Sequence, residues 1–508
     1  MLVKTYCAAV NGMEVTTITV EVNVTRGVMY HLTGLGDSAV KEGKDRIAAA
    51  LQNNGYKFPI ADLTINLAPA DLRKEGSSFD LPLAIGILAA SGGIESHCLD
   101  QYMMVGELSL DGHLQPIKGA LPIAIRARAE KFKGLIVPRQ NVMEAAVVNN
   151  LEVYGMDTIM DVIQLVTGLK DFDPTVIDTR KKFYESQYQF DIDFADVRGQ
   201  ENVKHALEVA AAGSHNVILI GPPGSGKSMM AKRFPTIMPP LTLAESLETT
   251  QIHSIAGKLG GNTSLITQRP FRSPHHTISE VALVGGGSNP MPGEISLAHN
   301  GVLFADELPE FNKHTLEVLR QPLEDGRVTI SRVAGQVTYP ARFQLIAAMN
   351  PCKCGWYGTE RCTCTKAAVQ QYLHRLSGPL LDRIDLQVAV QPVEYAALAA
   401  RGQASEEHSA DIRARVLAAR ERQYTRQGAD VCNAAIPPPQ LAEHCLLSAD
   451  ASRMFAAAFQ RLGLTARAHD RVLRVARTIA DLADSSVIEA EHLAEALQYR
   501  SLDRAAGS

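Results

Sequence analysis

The sequence predicts an α/β protein of about three domains, on three observations. Between residues 194 and 392, short apolar runs alternate with helical ones, the pattern of a parallel sheet with crossover helices. One of those runs opens directly into a glycine-rich loop and then a helix. A separate mixture of strand and helix signals fills residues 1–168, and helical segments fill the C-terminal part.

The bulk numbers agree with a globular chain. Of 508 residues, 46% are apolar and 21% charged, enough for full cores. Fifty basic residues stand against 55 acidic ones, a net charge of −5, so any nucleic-acid surface has to be local. No basic-then-apolar leader and no run of about 20 apolar residues is present, so we expect a cytoplasmic protein without membrane contact. Eight cysteines are too few for a disulfide scaffold.

Taken in order, "VTTITVEVNV" (15–24) alternates as a strand does, and "AVKEGKDRIAAALQNNG" (39–55) reads as an amphipathic helix stopped by glycine. "LTINLAP" is a second strand, "DLPLAIGILAAS" a buried helix, "ALPIAIRARAEKF" another helix and "GLIVP" a buried strand. Residues 169–193 lose any stable period and read as a linker. Residues 393–508 are helical, with an Arg-rich segment at 411–426 expected to present a solvated face, then a Pro run opening a final bundle.

The strongest motif is "NVILIGPPGSGKSMMAKRF" (216–234), a complete G-x-x-x-x-G-K-S in strand–loop–helix context. Gly221, Gly224 and Gly226 let backbone N–H groups turn inward around phosphate oxygens. Pro222, Pro223 and Ser225 complete the loop, Lys227 reaches the β/γ-phosphates and Ser228 ligates Mg²⁺. "NGVLFADELPEF" (300–311) supplies the second element: Asp306 for the Mg²⁺ shell and Glu307 to orient and deprotonate the attacking water. A third strand, "ARFQLIAAMNP", ends in Asn350, placed to contact the γ-phosphate. ATP and Mg²⁺ are therefore the expected ligands.

"CKCGWYGTERCTC" brings Cys352, Cys354, Cys362 and Cys364 within thirteen residues. Four thiolates this close can hold tetrahedral Zn²⁺, although C-x-C pairs are tighter than the usual spacing. Free thiols and an iron–sulfur cluster stay open. His275 and His276 read as packing or hydrogen-bonding residues rather than metal ligands.

The order GPPGSGKS, PGEISLAHNGVLFADEL, AAMNP and SGPLLDRIDL resembles the AAA+ ATPases, specifically their magnesium-chelatase-like branch. With "NLAPADLRKEGSSFDLPLA" and "RPFRSPHH", the resemblance narrows to the ComM/YifB family and covers nearly the whole chain. It implies an AAA+ P-loop NTPase core with a helical lid, preceded by an α+β Lon-protease-like (S5 domain 2-like) domain. It also implies a ring, usually a homo-hexamer, with ATP at subunit interfaces. Arg383 then matches an arginine finger, against a local salt bridge with Asp382 or Asp385. Arg467 matches a second-sensor arginine, with Arg471 and Arg474 as competitors. "GRVTISRVAGQVTYPARF" reads as a β-hairpin (328–331 and 336–339), which in related helicases points into the pore, making Arg332 a candidate DNA contact.

The N-terminal resemblance puts Ser78, in "KEGSSFD", where a Lon-type protease has its nucleophile. Such a serine needs a desolvated lysine as base. The matching position holds Leu121, and Lys118, three residues early, is expected to point elsewhere. The implied function is an ATP-driven DNA helicase or branch-migration translocase on recombination intermediates, in natural transformation with recombination proteins as partners. A chelatase-type metal-insertion motor and an ATP-dependent protease using Ser78 are the alternatives.

Overall fold

A computed structural model describes residues 1–500, leaving out 96, 262, 288, 333–334, 393–406 and 429–430. The first part of the helical C-terminal region and the apex of the predicted hairpin lie outside the described residues.

The N-terminal domain is built on a seven-stranded mixed sheet. Its strands are β1 (Leu2–Asn11), β2 (Glu14–Thr25), β3 (Tyr30–Thr33), β4 (Asp62–Ala68), β5 (Tyr102–Met104), β6 (Gly134–Pro138) and β7 (Glu152–Met156), in the order β3-β4-β2-β1-β5-β6-β7. The long antiparallel β1–β2–β4 ladder exists because every second residue is apolar: Ile18, Val20 and Val22 face one side and are fully buried. Two helices cover that face. Helix α1 (Ser38–Asn53) starts where the Asp37 carboxylate accepts from the Val40 N–H at 2.9 Å. Helix α2 (Asp80–Ala90) is buried along its whole length. Asp80 pins the two together, its carboxylate taking two hydrogen bonds from Arg46 at 2.7 and 3.0 Å. Helix α3 (Ala120–Ala129) packs against the next domain.

The segment read as a linker carries a helix and packs against both neighbouring domains. Helix α4 (Thr179–Ser186) forms there because Asp178 caps it and because Phe183, buried to 1% exposure, anchors it in the N-terminal core. The Gln187 side chain then donates to the Leu241 carbonyl at 2.7 Å, fastening the segment to the second domain.

That second domain holds helix α5 (Glu201–Gly213) and five parallel strands: β8 (Val217–Ile220), β9 (Phe271–Arg272), β10 (Val302–Ala305), β11 (Gln344–Met349) and β12 (Leu386–Ala389). Their order is β9-β10-β11-β8-β12, a crossover topology in which consecutive strands in the chain are not all neighbours. Helix α6 (Lys227–Arg233) follows β8, and α7 (Leu243–Ala256) is fixed by a Thr242/Glu245 capping box. Helix α7 packs on α3, and the Gly119 N–H donates to the Ser254 carbonyl at 3.1 Å, a backbone bond between the two domains.

The lid consists of α8 (Ser409–Gln427), α9 (Ala449–Leu462), α10 (Ala466–Leu482) and α11 (Ala490–Gln498). The Arg-rich helix α8 does present an exposed face, along residues 410, 411, 414, 418, 421 and 425, but several of its arginines bond the protein instead. Arg413 donates to the Thr236 carbonyl at 2.7 Å, Arg420 to the Ala211 carbonyl at 2.8 Å and Arg422 to the Asp481 carbonyl at 2.8 Å. Arg415 pairs with Glu208 on α5, and Arg426 grips the buried Asp481 with both nitrogens. No helix among the described residues is long and apolar enough to cross a membrane.

Candidate active site

The site lies at the C-terminal ends of three adjacent parallel strands, where open α/β sheets bind ligands. Strand β8 delivers the glycine-rich loop, β10 delivers Asp306 and Glu307, and β11 delivers Asn350. Gly224 and Gly226 take φ of +77° and +89°, which a side chain would resist. The Lys227 ammonium donates to the Gly221 and Pro222 carbonyls at 2.8 and 2.9 Å and to Asn350 Oδ1 at 3.3 Å. Burial pulls this ammonium below the ordinary lysine range, and the Asp306 carboxylate opposes the shift. The Ser228 hydroxyl donates to Asp306 Oδ2 at 2.7 Å. Ser225 Oγ is buried without a hydrogen-bond partner among the described residues, a polar atom that a phosphate oxygen would satisfy.

Glu307 sits in the left-handed region, φ 52° and ψ 46°, a conformation costing on the order of 1 kcal/mol for a non-glycine residue. Its own N–H donates to Asp306 Oδ1 at 3.0 Å, which holds the turn. The Glu307 carboxylate is 57% exposed and meets His276 Nδ1 at 3.4 Å. Sequence reasoning missed this contact. The signal was the "RPFRSPHH" run, which forms strand β9 beside β10. Arg269 there reaches the Pro239 and Asn300 carbonyls at 2.6 and 2.7 Å, and Arg272 makes a bidentate pair with Glu294 at 2.6 and 2.7 Å.

The arginines fall in different places. Arg383 is 9% exposed and bonds the Pro379 carbonyl at 2.6 Å and the Glu324 carboxylate, not Asp382 or Asp385. Asp385 instead joins the core to the lid, meeting His215 at 3.3 Å and Arg471 at 3.6 Å. Arg474 is also turned inward, donating to the Ile436 carbonyl at 3.0 Å. Arg467, on the first turn of α10, is exposed. The hairpin forms over Arg327–Arg332 and Gly335–Pro340, with Arg332 exposed at the pair next to its apex.

The four cysteine sulfurs lie within 4.8 Å of one another, with Cys352–Cys354 at 3.3 Å, Cys352–Cys362 at 3.9 Å and Cys354–Cys362 at 3.8 Å. Sulfurs around a tetrahedral zinc ion stand about 3.8 Å apart, so the donor set fits that ion. Backbone amides, that of Trp356 first and then Thr363, pull Cys354 down to about 5, toward the thiolate a metal needs. The cluster packs on the phosphate loop: a Cβ on Gly355 would stand 2.6 Å from Pro223 Cδ.

In the N-terminal domain, Leu121 is fully buried and apolar, so no base stands at the matching position. Lys118 lines one cavity of about 340 Å³ with Ser77, Ser78 and Glu107, and its side-chain carbons run past Gly257 of the second domain. The Ser77 hydroxyl is held by Glu107. Ile255, Met291 and Tyr339 of the second domain close the cavity.

Three family models match the chain: "Magnesium chelatase, subunit ChlI" over 193–398, "Subunit ChlI of Mg-chelatase" over 20–141 and "Magnesium chelatase, subunit ChlI C-terminal" over 406–500. The uncharacterized protein YifB of Escherichia coli is 43% identical over 495 residues, covering 97% of this chain and 96% of that one. Competence protein ComM of Haemophilus influenzae is 43% identical over 502 residues, covering 98% and 97%. The chain belongs to the ComM/YifB family. Lon protease 2 of Bacillus subtilis is 31% identical over 149 residues, 27% of this chain, a weaker likeness. The chain thus carries a magnesium-chelatase-type AAA+ core, and the site above lies within the residues that the magnesium chelatase model matches.

Proposed function

We propose that this chain is an ATP-hydrolysing DNA motor, a helicase or branch-migration translocase that works as a homo-hexameric ring on recombination intermediates. The observation that carries the ATPase half is the convergence of Lys227, Ser228, Asp306, Glu307 and Asn350 at three neighbouring strand ends. Lys227 would bind the β/γ-phosphates, Ser228 and Asp306 would hold magnesium, and Asn350 would face the terminal phosphate. Magnesium would neutralise charge on the phosphate oxygens. Glu307 would take the proton of the attacking water. Arg383 in trans and Arg467 in the lid are proposed to complete the site.

The DNA half is supported by the exposed Arg332 beside a hairpin apex and by the name of the competence relative. Binding through phosphates would fall with salt. Zinc at the four cysteines would pin the loop beside Asn350. The deciding experiment is displacement of a strand from a forked duplex, with ATP turnover followed alongside, comparing wild type with Glu307→Gln. Unwinding and DNA-stimulated turnover, both lost in the variant, are expected. ATPase that ignores DNA and leaves forks intact overturns the motor reading.

A further inference from the structure

We propose that the cavity between the N-terminal and second domains is a binding site for a small zwitterion with an apolar side chain, of the class of free α-amino acids. The site needs no covalent chemistry at Ser78 and is independent of the motor reading.

The cavity is bordered by two places where the domains touch. At one, the Gly119 N–H bonds the Ser254 carbonyl. At the other, the Gly12 turn of the N-terminal domain lies so close to Val337 that a Cβ there would collide with it. Gly12 itself, and Lys118 and Ile255 beside the other pair, line the cavity. About 340 Å³ stays open between the domains, within the size range of small-ligand sites.

The polar groups facing this space are left open. Glu107 is half-buried, and among the described residues the Ser77 hydroxyl is the one side-chain donor to its carboxylate, at Oε2. That leaves Oε1 for a ligand. The Ser78 hydroxyl makes no hydrogen bond among the described residues, and a serine without a base still donates and accepts. The Lys118 ammonium, at the end of a stem that runs past Gly257, has neither a hydrogen bond nor an ion pair among them. Glu75, the other carboxylate in the lining, is already paired with Arg73 at 2.9 Å.

An ammonium and a carboxylate therefore line one cavity without pairing with each other. A molecule that carries both charges matches them: its ammonium at Glu107 and Ser78, its carboxylate at Lys118. The remaining walls are apolar. Val10, Ile117 and Ile123 come from the N-terminal domain, Ile255 and Met291 from the second, and they suit an aliphatic or aromatic side chain.

Such a ligand would be held by both domains at once. Tyr339, in the lining, lies on the hairpin strand Gly335–Pro340 opposite Val328, near the foot of the hairpin. Its hydroxyl donates to the Pro290 carbonyl at 2.8 Å, next to Met291. Occupancy would brace that foot against the N-terminal domain.

The test is equilibrium dialysis and thermal melting of the full-length chain with L-leucine and L-phenylalanine. N-acetyl-L-leucine, which lacks the ammonium, and L-leucinamide, which lacks the carboxylate, are run beside them. At least one of the two amino acids should bind at one equivalent per chain, and the melting temperature should rise with its concentration. Both blocked forms should bind about tenfold or more weakly, the contribution of one charge-assisted hydrogen bond. This comparison is made on the unaltered protein, so it does not depend on any variant folding. Glu107→Gln should abolish the preference for leucine over N-acetyl-leucine, and Lys118→Gln the preference for leucine over leucinamide. No binding of either amino acid at about 10 mM overturns the proposal. So do blocked forms that bind as well as the free ones, or a preference that survives both substitutions.

Discussion

Ser228 and Asp306, 78 residues apart in the chain, meet in a 2.7 Å hydrogen bond at the mouth of the phosphate loop. The hydroxyl and the carboxylate are thus already at the separation at which both can enter one magnesium shell. Replacing Asp306 by Asn keeps the size and the hydrogen bond but removes the charge. We expect nucleotide binding, read by a fluorescent ATP analogue, to persist while turnover falls about 100-fold or more. Equal turnover in the Asn variant would remove Asp306 from the reaction.

The cysteine cluster makes a stoichiometric prediction. Purified protein should carry one zinc ion per chain by elemental analysis, and Cys354→Ser should lose it. Because Gly355 abuts Pro223, the same variant should also weaken ATP binding, by roughly tenfold for a loop no longer held in place. Full metal content in Cys354→Ser, or none in wild type, contradicts the assignment.

His205 gives a pH dependence. Its ring sits between Glu208 at 3.4 Å and Glu495 at 3.0 Å, joining α5 to the lid helix α11. Hydrogen bonds to Glu208 first and to Glu495 second raise its pKa from 6.5 to about 10. The folded state therefore holds the proton more tightly than the unfolded one. Its contribution is complete below pH 6.5 and drains away as pH rises toward 10. The ring is 44% exposed, so solvent screens the effect. Thermal melts should show the lid loosening across that window, with a shallower slope for His205→Asn. Parallel pH profiles for the two proteins would contradict this.

Arg332 carries the salt prediction. If it meets a DNA phosphate, Arg332→Ala should weaken single-strand binding and lower the slope of log affinity against log salt by about 1. An unchanged slope places the strand elsewhere.

The parts of the candidate site were legible in the sequence because each of them is local. Strands β8 and β10 are four-residue apolar runs that end in their functional residues, and the loop glycines mark the turn. What escaped was non-local. Helix α4 is polar except for a few positions, and a single buried phenylalanine decides its fate, too thin a signal for periodicity. Helix α8 has the solvated face its charge suggests, but the inward turn of Arg413, Arg420 and Arg422 was hidden, because they bond main-chain carbonyls, which any residue can supply and no sequence announces. The His276–Glu307 contact needed the parallel register of two strands 31 residues apart. That Lys118 shares a cavity with Ser77 and Ser78 also escaped, because the cavity is closed by residues of the second domain far along the chain.

The carbonyl bonds made by Arg413, Arg420 and Arg422 have a practical side. Dissolved ions shield charges that face water across a distance, but compete poorly for a short bond in a dry seam. A grip on nucleic acid through its phosphates, if Arg332 supplies one, and the packing of the lid therefore answer to different chemistry. A brine wash strong enough to strip phosphate-bound strands, should the protein carry any, should leave lid and core assembled.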